Sequence, residues 1–597
     1  MLPVYPVVIP LFTAALVAAL TKVISKRASQ VIAMVSTLAT LAINLYLMNK
    51  SAVQPIVYWF GNWRPRNGVA LGISFAVDPA GAGLAAFASF LLLAAFVFSS
   101  SYFDGAGNHF HALMLGFLAA MCGFCLTGDM FNMFVFFELM SAAAFALCAY
   151  RTDDPGSLQG ALNFGVTNTV AAYFVLTGIG ILSARTGALN MAQMGRALGA
   201  DRLDSLVLAG FAFVVCGYLV KGAVFPFHFW LADAFAVAPS PVCVLFSGVM
   251  VEMGLYALAR IYWSVFDRVL HPHLSGLVTL FVTIGLITAM AGAFMCYIQR
   301  NLKRLLAFST VSHIGLMVIA IGLFTPRALA GVFIYVLGHG LVTGALFLVA
   351  GLLLHRFRSI DESDLHAQAR GERWAGGVFF VGGIALARVP FSGLAAGDDL
   401  IHASANAAGF GWLHWIFLAA GAGTSAAVLR AGAHVFLGWG DAVDRGGAPK
   451  HEEKPETEPG DRHTPVTMLI PATVLVVCGL AIGLVPNLKS EAFTVATRFQ
   501  NTVAYANHVL NARRFPATPV PRPVPSDRFD QLLTVLTAMT IVIVQLFCPK
   551  RTHQVLGRMA KPLAVLHRLH SGHVGDYIAF LTFGMACFGL LCAYCFR

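Results

Sequence analysis

LVLAGFAFVVCGYLVKGAVFPF, residues 206–227, is long enough to enter a lipid bilayer and is apolar except at Lys221. A charged side chain at the bilayer centre costs about 2.5–3.5 kcal/mol on membrane-insertion scales, so such an amine is usually kept for a function. Pro226 removes a backbone donor, which predicts a helix break close to the amine. The alternative is a lysine that reaches the interface from a helix end, but apolar residues continue on both sides of Lys221.

The composition identifies a membrane protein. The chain has 597 residues, of which 58% are hydrophobic and only 11% are charged. Soluble domains carry about 25% charged residues. The formal net charge of +11 does not indicate nucleic-acid binding in such a chain, because basic residues in short cytoplasmic loops set orientation and meet anionic lipid. We therefore expect a multi-pass protein of the cell inner (plasma) membrane, with the lipid bilayer as its surroundings.

The sequence lacks the patterns of cofactor and catalytic sites. Two CxxC pairs, Cys122/Cys125 and Cys592/Cys595, lie inside apolar runs and are interpreted as packing residues, not as zinc or iron–sulfur ligands. The glycine-rich segment Gly421–Ala426 lacks the third glycine and the strand context of a nucleotide site. No nucleophile–base arrangement is present, so we expect no cofactor, no metal and no catalytic centre in this chain.

Hydropathy predicts an all-α polytopic fold. A membrane helix needs about 20 mostly apolar residues. By this rule we count sixteen spans, and we expect fourteen to sixteen in the fold. They lie near residues 5–22, 30–48, 79–100, 110–128, 130–150, 161–184, 206–227, 240–263, 274–298, 303–325, 328–354, 374–402, 411–438, 465–486, 528–547 and 575–595.

The spans group into four predicted parts. These are N-terminal spans at 1–100, a core at 101–438, a charged loop at 439–464, and C-terminal spans at 465–597 that include an amphipathic and Pro-rich connector at 487–526. Turn signals within the polar segment 49–76 predict a short hairpin outside the bilayer.

A repeat is predicted within the core. Pro226 and Pro390 are separated by the same interval as the spans that start near 110 and 274. Matched interruptions indicate repeated units, here about 110–263 and 274–438, with a site at each break.

Ionisable residues inside the spans are the candidate functional groups. Glu138 lies among aromatic residues, and with Lys221 it can exchange between a closed ion pair and two separated groups that can bind protons. A buried, permanently protonated Glu138 is the structural alternative. Glu252, His313 and His339 lie in three further spans and favour a relay, although a lone histidine inside a membrane is often only a hydrogen-bonded helix contact.

Polar residues beside this row extend it. Asp398 and Asp399 follow the Pro390 break and complete the row of ionisable groups. Asp233 follows Pro226 and is expected either to cap a re-entrant helix or to take part in function. The hydroxyls that we expect to border the same path belong to Ser309, Thr310 and Ser312.

Four segments resemble a known family. KGAVFPFHFWLADAFAVAPSPVCVLFSG (221–248), LKRLLAFSTVSHIGLM (302–317), HGLVTGALFLVAG (339–351) and FFELMS (136–141) are similar to signature segments of the proton-conducting antiporter-like subunits. These are the large membrane subunits of respiratory complex I, membrane-bound hydrogenases and Mrp-type cation/proton antiporters. The resemblance covers about residues 75–430. FGNWRP and GALNMAQMGRAL (187–198) resemble most the Mrp D-type subunit or its complex I counterpart.

The resemblance implies a fold and a set of roles. The fold would have fourteen core helices, inverted five-helix repeats, and broken seventh and twelfth helices. Lys221 matches the lysine of the broken seventh helix and Glu138 its partner on the fifth helix, while His313 and His339 match relay positions. Other membrane subunits, H⁺ and Na⁺ or K⁺ are the implied partners.

Three positions depart from the family pattern. Glu252 stands where a lysine of the eighth helix is usual, Thr343 stands where many members have a lysine, and Gly397 stands where a lysine or glutamate is usual. The resemblance therefore leaves two alternatives: the central and exit steps are altered, or acids carry them, with Glu252 linking the two half-channels and Asp398 and Asp399 acting near the exit.

The sequence thus predicts a proton-translocating subunit, with Na⁺ or K⁺ exchange, in an Mrp-type or complex I-like assembly. Two alternatives remain. One is a membrane subunit of a quinone- or hydrogenase-linked redox complex, such as an ion-translocating NADH-quinone oxidoreductase, with all redox centres in partner subunits. The other is a non-pumping scaffold or a partner of an inorganic-carbon uptake protein.

Overall fold

A computed structural model describes residues 1–103, 107–200, 203–440, 464–516, 526–547 and 572–596. Within these ranges the chain is almost entirely helical, which confirms the all-α class of multi-pass membrane protein. The helices are α1 (Tyr5–Ala19), α2 (Lys26–Val53), α3 (Pro79–Tyr102), α4 (Asn108–Leu126), α5 (Met130–Cys148), α6 (Pro155–Thr186), α7 (Met191–Leu198), α8 (Ser205–Lys221), α9 (Phe229–Val237), α10 (Ser240–Leu245), α11 (Val251–Ile261), α12 (Asp267–Leu270), α13 (Leu274–Ile298), α14 (Leu302–Gly322), α15 (Pro326–Phe357), α16 (Arg373–Leu386), α17 (Gly393–Ala407), α18 (Leu413–Gly432), α19 (Val466–Ala481), α20 (Leu488–Gln500), α21 (Thr502–Asn511), α22 (Arg528–Phe547) and α23 (Val574–Cys595).

The run from Ser240 to Ile298 turns back on itself. The rings of Tyr262 and Phe281 both pack on Phe324, with centroids 4.4 and 5.8 Å from it. A straight α-helix would separate positions 262 and 281 by roughly 28 Å. The run therefore reverses near the 3₁₀ turn His271–His273 and crosses the membrane twice.

The described chain makes sixteen passes by this count. Thirteen helical runs are long and apolar enough to cross a membrane, and one of them is the run that turns back. The two remaining passes are broken helices, α8 with α9 and α16 with α17, each too short in one piece to be among the thirteen. Sixteen is the number that hydropathy predicts.

The first break follows Lys221, as Pro226 predicts. Helix α8 ends at Lys221 and α9 begins at Phe229. The break leaves backbone groups without helical partners, and neighbouring side chains bond to them. Thr288 Oγ1 accepts a hydrogen bond from the Phe225 N–H at 3.1 Å, and the Trp230 indole donates to the Val220 carbonyl at 3.0 Å.

The second break surrounds Pro390. Helix α16 ends at Leu386 and α17 begins at Gly393, where the Ser392 side chain caps the new helix by accepting from Ala395 N–H. The span predicted over 374–402 is therefore two helices, interrupted at Pro390 as the sequence predicts. Arg388 lies inside the break with φ of +62°, a left-handed conformation that side chains other than glycine rarely adopt.

The centre of the bundle is formed by α14 and α15. Helix α14 is buried along its length except at Arg304. Small residues bring α13 and α14 close together: a Cβ added at Gly315 would lie 2.3 Å from the backbone nitrogen of Ala289. The helices at the periphery, α1, α2, α19, α22 and α23, expose many apolar side chains, as expected for faces that meet lipid.

The polar segment after α2 forms the predicted hairpin. Strands β1 (Ile56–Trp59) and β2 (Ser74–Val77) pair antiparallel, with Ile56 opposite Val77 and Trp59 opposite Ser74. The predicted amphipathic stretch that starts at 487 contains α20 and α21. Most of the predicted charged loop at 439–464 and the Pro-rich part of the connector lie outside the described residues. The repeat units and the division into four parts remain predictions.

Candidate functional site

Lys221 is fully buried at the last position of α8. Its Nζ donates to Ser141 Oγ at 3.1 Å and lies 5.0 and 5.8 Å from the ring centroids of Phe137 and Phe164. The C-terminal end of a helix carries partial negative charge, which favours a cation there. Helix geometry, one hydroxyl and two aromatic faces therefore stabilise an amine that the bilayer would exclude.

Glu138 lies on α5, one helical turn before Ser141, so it shares the face that meets Lys221. It is half-buried, and its Oε1 accepts no hydrogen bond from the described residues. Within that part of the chain no salt bridge joins Glu138 to Lys221, because the amine bonds to Ser141 instead. The structure thus holds the predicted pair near each other with the ion pair open.

Glu252, His339 and His313 form the contact at the centre of the molecule. Glu252 Oε1 lies 3.1 Å from His339 Nδ1, and the rings of His339 and His313 lie 4.9 Å apart. All three side chains are buried, with at most 1% exposure. Glu252 Oε2 and His339 Nε2 have no hydrogen-bond partner among the described residues. The structure therefore brings three of the predicted residues, from α11, α15 and α14, into one row.

His313 extends the row toward the second break. Its Nδ1 lies 2.7 Å from the Tyr335 hydroxyl and its Nε2 lies 3.3 Å from Thr424 Oγ1. The predicted hydroxyls of α14 are buried as well, but they bond elsewhere. Thr310 bonds to Ser247 at 2.8 Å and Ser312 donates to the Ala289 carbonyl, whereas the Ser309 hydroxyl has no partner in the described chain.

Asp398 and Asp399 lie on α17 just after the second break, and each has its own cation. Arg388 donates to Asp398 Oδ2 at 2.8 Å, with both side chains buried. Lys489 of α20 donates to Asp399 Oδ2 at 2.6 Å, and Gln531 of α22 donates to Asp399 Oδ1 at 2.9 Å. The two adjacent acids therefore belong to separate networks.

The structure shows how Gly397 and Thr343, two of the departures from the family pattern, pack against their neighbours. A Cβ at Gly397 would lie 2.6 Å from the Gly331 carbonyl oxygen and 2.8 Å from the Tyr335 amide, so α17 and α15 touch where a larger side chain would stand. Thr343 is buried and donates to the carbonyl of His339 one turn earlier. The close helix contact excludes a long side chain at position 397 and leaves the adjacent Asp398 to meet Arg388.

The capping role expected for Asp233 is wrong. Helix α9 begins after His228, and Asp233 lies within the helix. Its Oδ2 accepts hydrogen bonds from Tyr577 at 2.7 Å and from Asn163 at 3.1 Å, and Arg304 lies 3.3 Å from its Oδ1. The carboxylate joins three helices because its position along α9 places it against α6 and α23, not at the helix start.

Sequence analysis did not identify two buried arginines in the second half of the chain as candidate functional residues. Arg388 could have been found from its position between an apolar span and Pro390. Arg430 bonds to Glu362 at 2.9 Å, and His434 Nδ1 lies 2.8 Å from the same carboxylate. Burial raises the pKa of Glu362, but Arg430 and His434 outweigh burial, so the net pKa is lowered. Arg430 lies in the last turn of α18 and has no comparable sequence signal.

Comparisons with known proteins identify the family of the chain. The family model described as NADH:quinone oxidoreductase/Mrp antiporter, TM, matches residues 127–424. The chain is 35% identical over 361 residues to the N-type subunit of the NADH-quinone oxidoreductase of Desulforudis audaxviator, covering 59% of this chain and 69% of that protein. It is 31% identical over 358 residues to the D-type subunit of the probable K(+)/H(+) antiporter of Rhizobium meliloti, covering 59% and 65%.

Solved structures share the fold. A chain of the Mrp complex from Dietzia sp. DQ12-45-1b superposes with a TM-score of 0.74 at 25% identity, covering 85% of this chain and 99% of that one. A chain of an archaeal membrane-bound sulfane sulfur reductase superposes with a TM-score of 0.71 at 23% identity, covering 84% and 99%. The second likeness concerns the fold alone.

The Arg388–Asp398 pair generates a stability prediction. Arg388→Met leaves a buried carboxylate without its cation, and we expect the free energy of unfolding to fall by about 3–5 kcal/mol. Thermal unfolding in mild detergent measures the change. Arg373→Met, at an exposed arginine of α16, is the matched control and should leave the unfolding temperature nearly unchanged. The double variant Arg388→Met with Asp398→Leu should recover most of the loss, and a double variant as unstable as the single one would contradict the pairing.

Proposed function

Because the chain belongs to the family of membrane subunits shared by NADH:quinone oxidoreductases and Mrp antiporters, we propose that it moves protons across the membrane as one subunit of a larger complex. The observation that carries this proposal is the buried contact of Glu252 with His339, continued by the His339–His313 ring contact between the two helix breaks. Ionisable residues at such depth in a membrane protein mark ion paths.

The entry step uses Lys221 and Glu138. In the open arrangement the amine bonds to Ser141 and Glu138 is free to take up a proton. Closure of the Glu138–Lys221 ion pair favours the charged forms of both groups, whereas opening disfavours the buried charges. Alternation between the two arrangements would bind a proton from one side and release it toward the centre.

The central step uses Glu252 and the two histidines. A proton on His339 Nδ1 lies within hydrogen-bond reach of the Glu252 carboxylate. Both ring nitrogens of His313 face the hydroxyls of Tyr335 and Thr424, so a water molecule or rotation of one ring would carry the proton from His339 to His313. Tyr335 and Thr424 then offer hydroxyls on the side of Arg388 and Asp398.

The exit step uses the acids after the second break. Arg388 donates to Asp398 with both side chains buried, and an arriving proton would weaken this pair, as would outward movement of the guanidinium. Asp399, which pairs with Lys489, would take part in proton release after Asp398. We place the protein in the inner (plasma) membrane of the cell, with Na⁺ or K⁺ as the exchanged ion, on the strength of the antiporter relatives.

A redox-linked complex is the second candidate, and the 35% identity to an NADH-quinone oxidoreductase subunit favours it. In that assembly electron transfer would take place in partner subunits and drive the same proton path. A scaffold role without pumping is the third interpretation, and transport measurements on variants separate it from the first two.

Lys221→Ala tests the entry step. We expect proton transport by the assembled complex in inverted membrane vesicles to fall roughly 100-fold, the contribution typical of a proton-transferring group. Lys50→Ala is the matched control, because Lys50 also lies in the last turn of a spanning helix but is exposed. Unchanged transport in the Lys221 variant, with normal insertion and assembly, would favour the scaffold role.

Glu252→Gln tests the central departure from the family pattern. The amide keeps the shape of the side chain and a hydrogen bond to His339 but cannot carry the proton, so we expect transport to be lost while the complex remains assembled. Glu491→Gln is the matched control, since Glu491 also occupies the first turn of a helix and is exposed. Full transport by the Glu252 variant would remove this residue from the path.

Purification of the tagged chain from its native membrane in mild detergent, with its companions identified by mass, separates the two assemblies. Small membrane subunits alone would indicate a cation/proton antiporter, which we expect. Iron–sulfur or nickel subunits would indicate the redox-linked complex. A chain purified without companions would contradict the multisubunit proposal.

A further inference from the structure

Two histidines and one aspartate from three helices meet beside the second break. His402 lies on α17, His414 in the first turn of α18, and Asp530 in the first turn of α22. One nitrogen from each histidine and one carboxylate oxygen all lie within 4.8 Å of one another. The family match ends at residue 424, so the site needs a helix outside the matched region.

The distances fit metal ligands better than hydrogen bonds. His402 Nδ1 lies 3.5 Å from Asp530 Oδ2, and His414 Nδ1 lies 3.4 Å from Asp530 Oδ1. Ring N–H···O bonds are commonly about 2.9–3.0 Å long. Two ligands bound tetrahedrally at about 2.0–2.1 Å from a zinc ion are about 3.4 Å apart. Each histidine nitrogen thus lies at the spacing of neighbouring zinc ligands from one oxygen of Asp530, and the three ligand atoms lie within 4.8 Å of one another.

The burial of Asp530 supplies an independent reason for a ligand. Its side chain is 4% exposed, and its Oδ1 accepts no hydrogen bond from the described residues. Burying a carboxylate without full compensation is costly. Asp398 also lies near this cluster, 3.6 Å from His402, so two buried carboxylates share the region and Arg388 pairs with Asp398. A cation between Asp530 and the histidines would balance the charge of Asp530.

We propose that His402, His414 and Asp530 bind one Zn²⁺ ion, with the fourth position open to water. Two imidazoles and a carboxylate are ligands that Zn²⁺ accepts in tetrahedral geometry. His414, whose side chain is 29% exposed, gives the ion a route from outside the bundle. The bound ion ties α22 to α17 and α18 next to the Arg388–Asp398 pair.

An effect on transport follows, and this part rests on the proposed function. A shift of α17 that opens the Arg388–Asp398 pair would also move His402, because α17 carries Asp398 and His402 one helical turn apart. A zinc ion that fastens His402 to α18 and α22 restricts that movement. Micromolar Zn²⁺ therefore slows proton transport by the assembled complex, and removal of the ion restores it.

Metal binding is tested directly on the purified full-length protein with its companions. The preparation is stripped with a chelator, incubated with ZnCl₂, dialysed and analysed for metal, and Co²⁺ is used in parallel because its visible absorption reports tetrahedral coordination. We expect one ion per chain. His402→Ala, His414→Ala and Asp530→Asn should each weaken binding by about 100-fold or more, since loss of an outer-shell partner alone costs 10–100-fold.

His109→Ala, at an exposed histidine of α4, is the matched control and should retain the ion. The partly exposed His414 is also replaced by Gln, and size-exclusion profiles establish that each variant is folded. Zinc retained equally by the His402, His414 and control variants would overturn the site, as would a wild-type chain that retains none. Zinc bound by the wild type with transport unchanged would overturn only the restriction of α17, and this outcome is independent of whether Lys221 and Glu252 carry protons.

Discussion

The bilayer provides no partner for a buried charge, and this constraint organises the interior of the molecule. Lys221 bonds to a serine at a helix end, Arg388 bonds to Asp398, and Glu252 meets His339. Each contact joins different helices or the two sides of a break, so the charged groups also determine which helices lie together. The residues proposed to move protons therefore also hold helices together, because the cost of burying each charged side chain must be offset by a neighbouring group.

The three central contacts share incomplete hydrogen bonding, which suits transport. The Arg388–Asp398 pair is short and buried, but Arg388 Nε and Asp398 Oδ1 have no hydrogen-bond partner among the described residues. The Glu252–His339 contact leaves one oxygen and one ring nitrogen without partners among the described residues, and the Glu138–Lys221 pair is open. Groups that are incompletely satisfied exchange protons and partners at lower cost than groups held by full bonding. Mobility of charge is therefore expected at all three contacts, because each has at least one buried polar atom without a hydrogen-bond partner in the described part of the chain.

Local sequence patterns were sufficient for the fold and for the residues of the central row. Hydropathy predicted the sixteen passes, prolines predicted both breaks, and single ionisable residues within apolar spans indicated Glu252, His313 and His339. The missed features depend on the backbone at a break and on contacts between helices. Arg388 lies in the second break in a left-handed conformation and bonds to Asp398, and Asp233 accepts a hydrogen bond from Tyr577 of the last described helix. No periodicity within a span contains that information, because the partner lies on a different helix.

Two of the three described passes that follow the matched region, α22 and α23, pack beside the helix breaks. Helix α22 donates from Gln531 to Asp399 and accepts from Arg388 through Thr534, whereas α23 reaches Asp233 through Tyr577. A Cβ at Gly584 of α23 would lie 2.6 Å from the ring of Phe227, so this helix also packs directly on the first break. Broken helices expose polar groups that lipid cannot satisfy. Helix α22 supplies a hydrogen-bonding group to the second break through Thr534, and α23 covers the first break by packing on Phe227, which lets the interruptions persist at positions where charge must move.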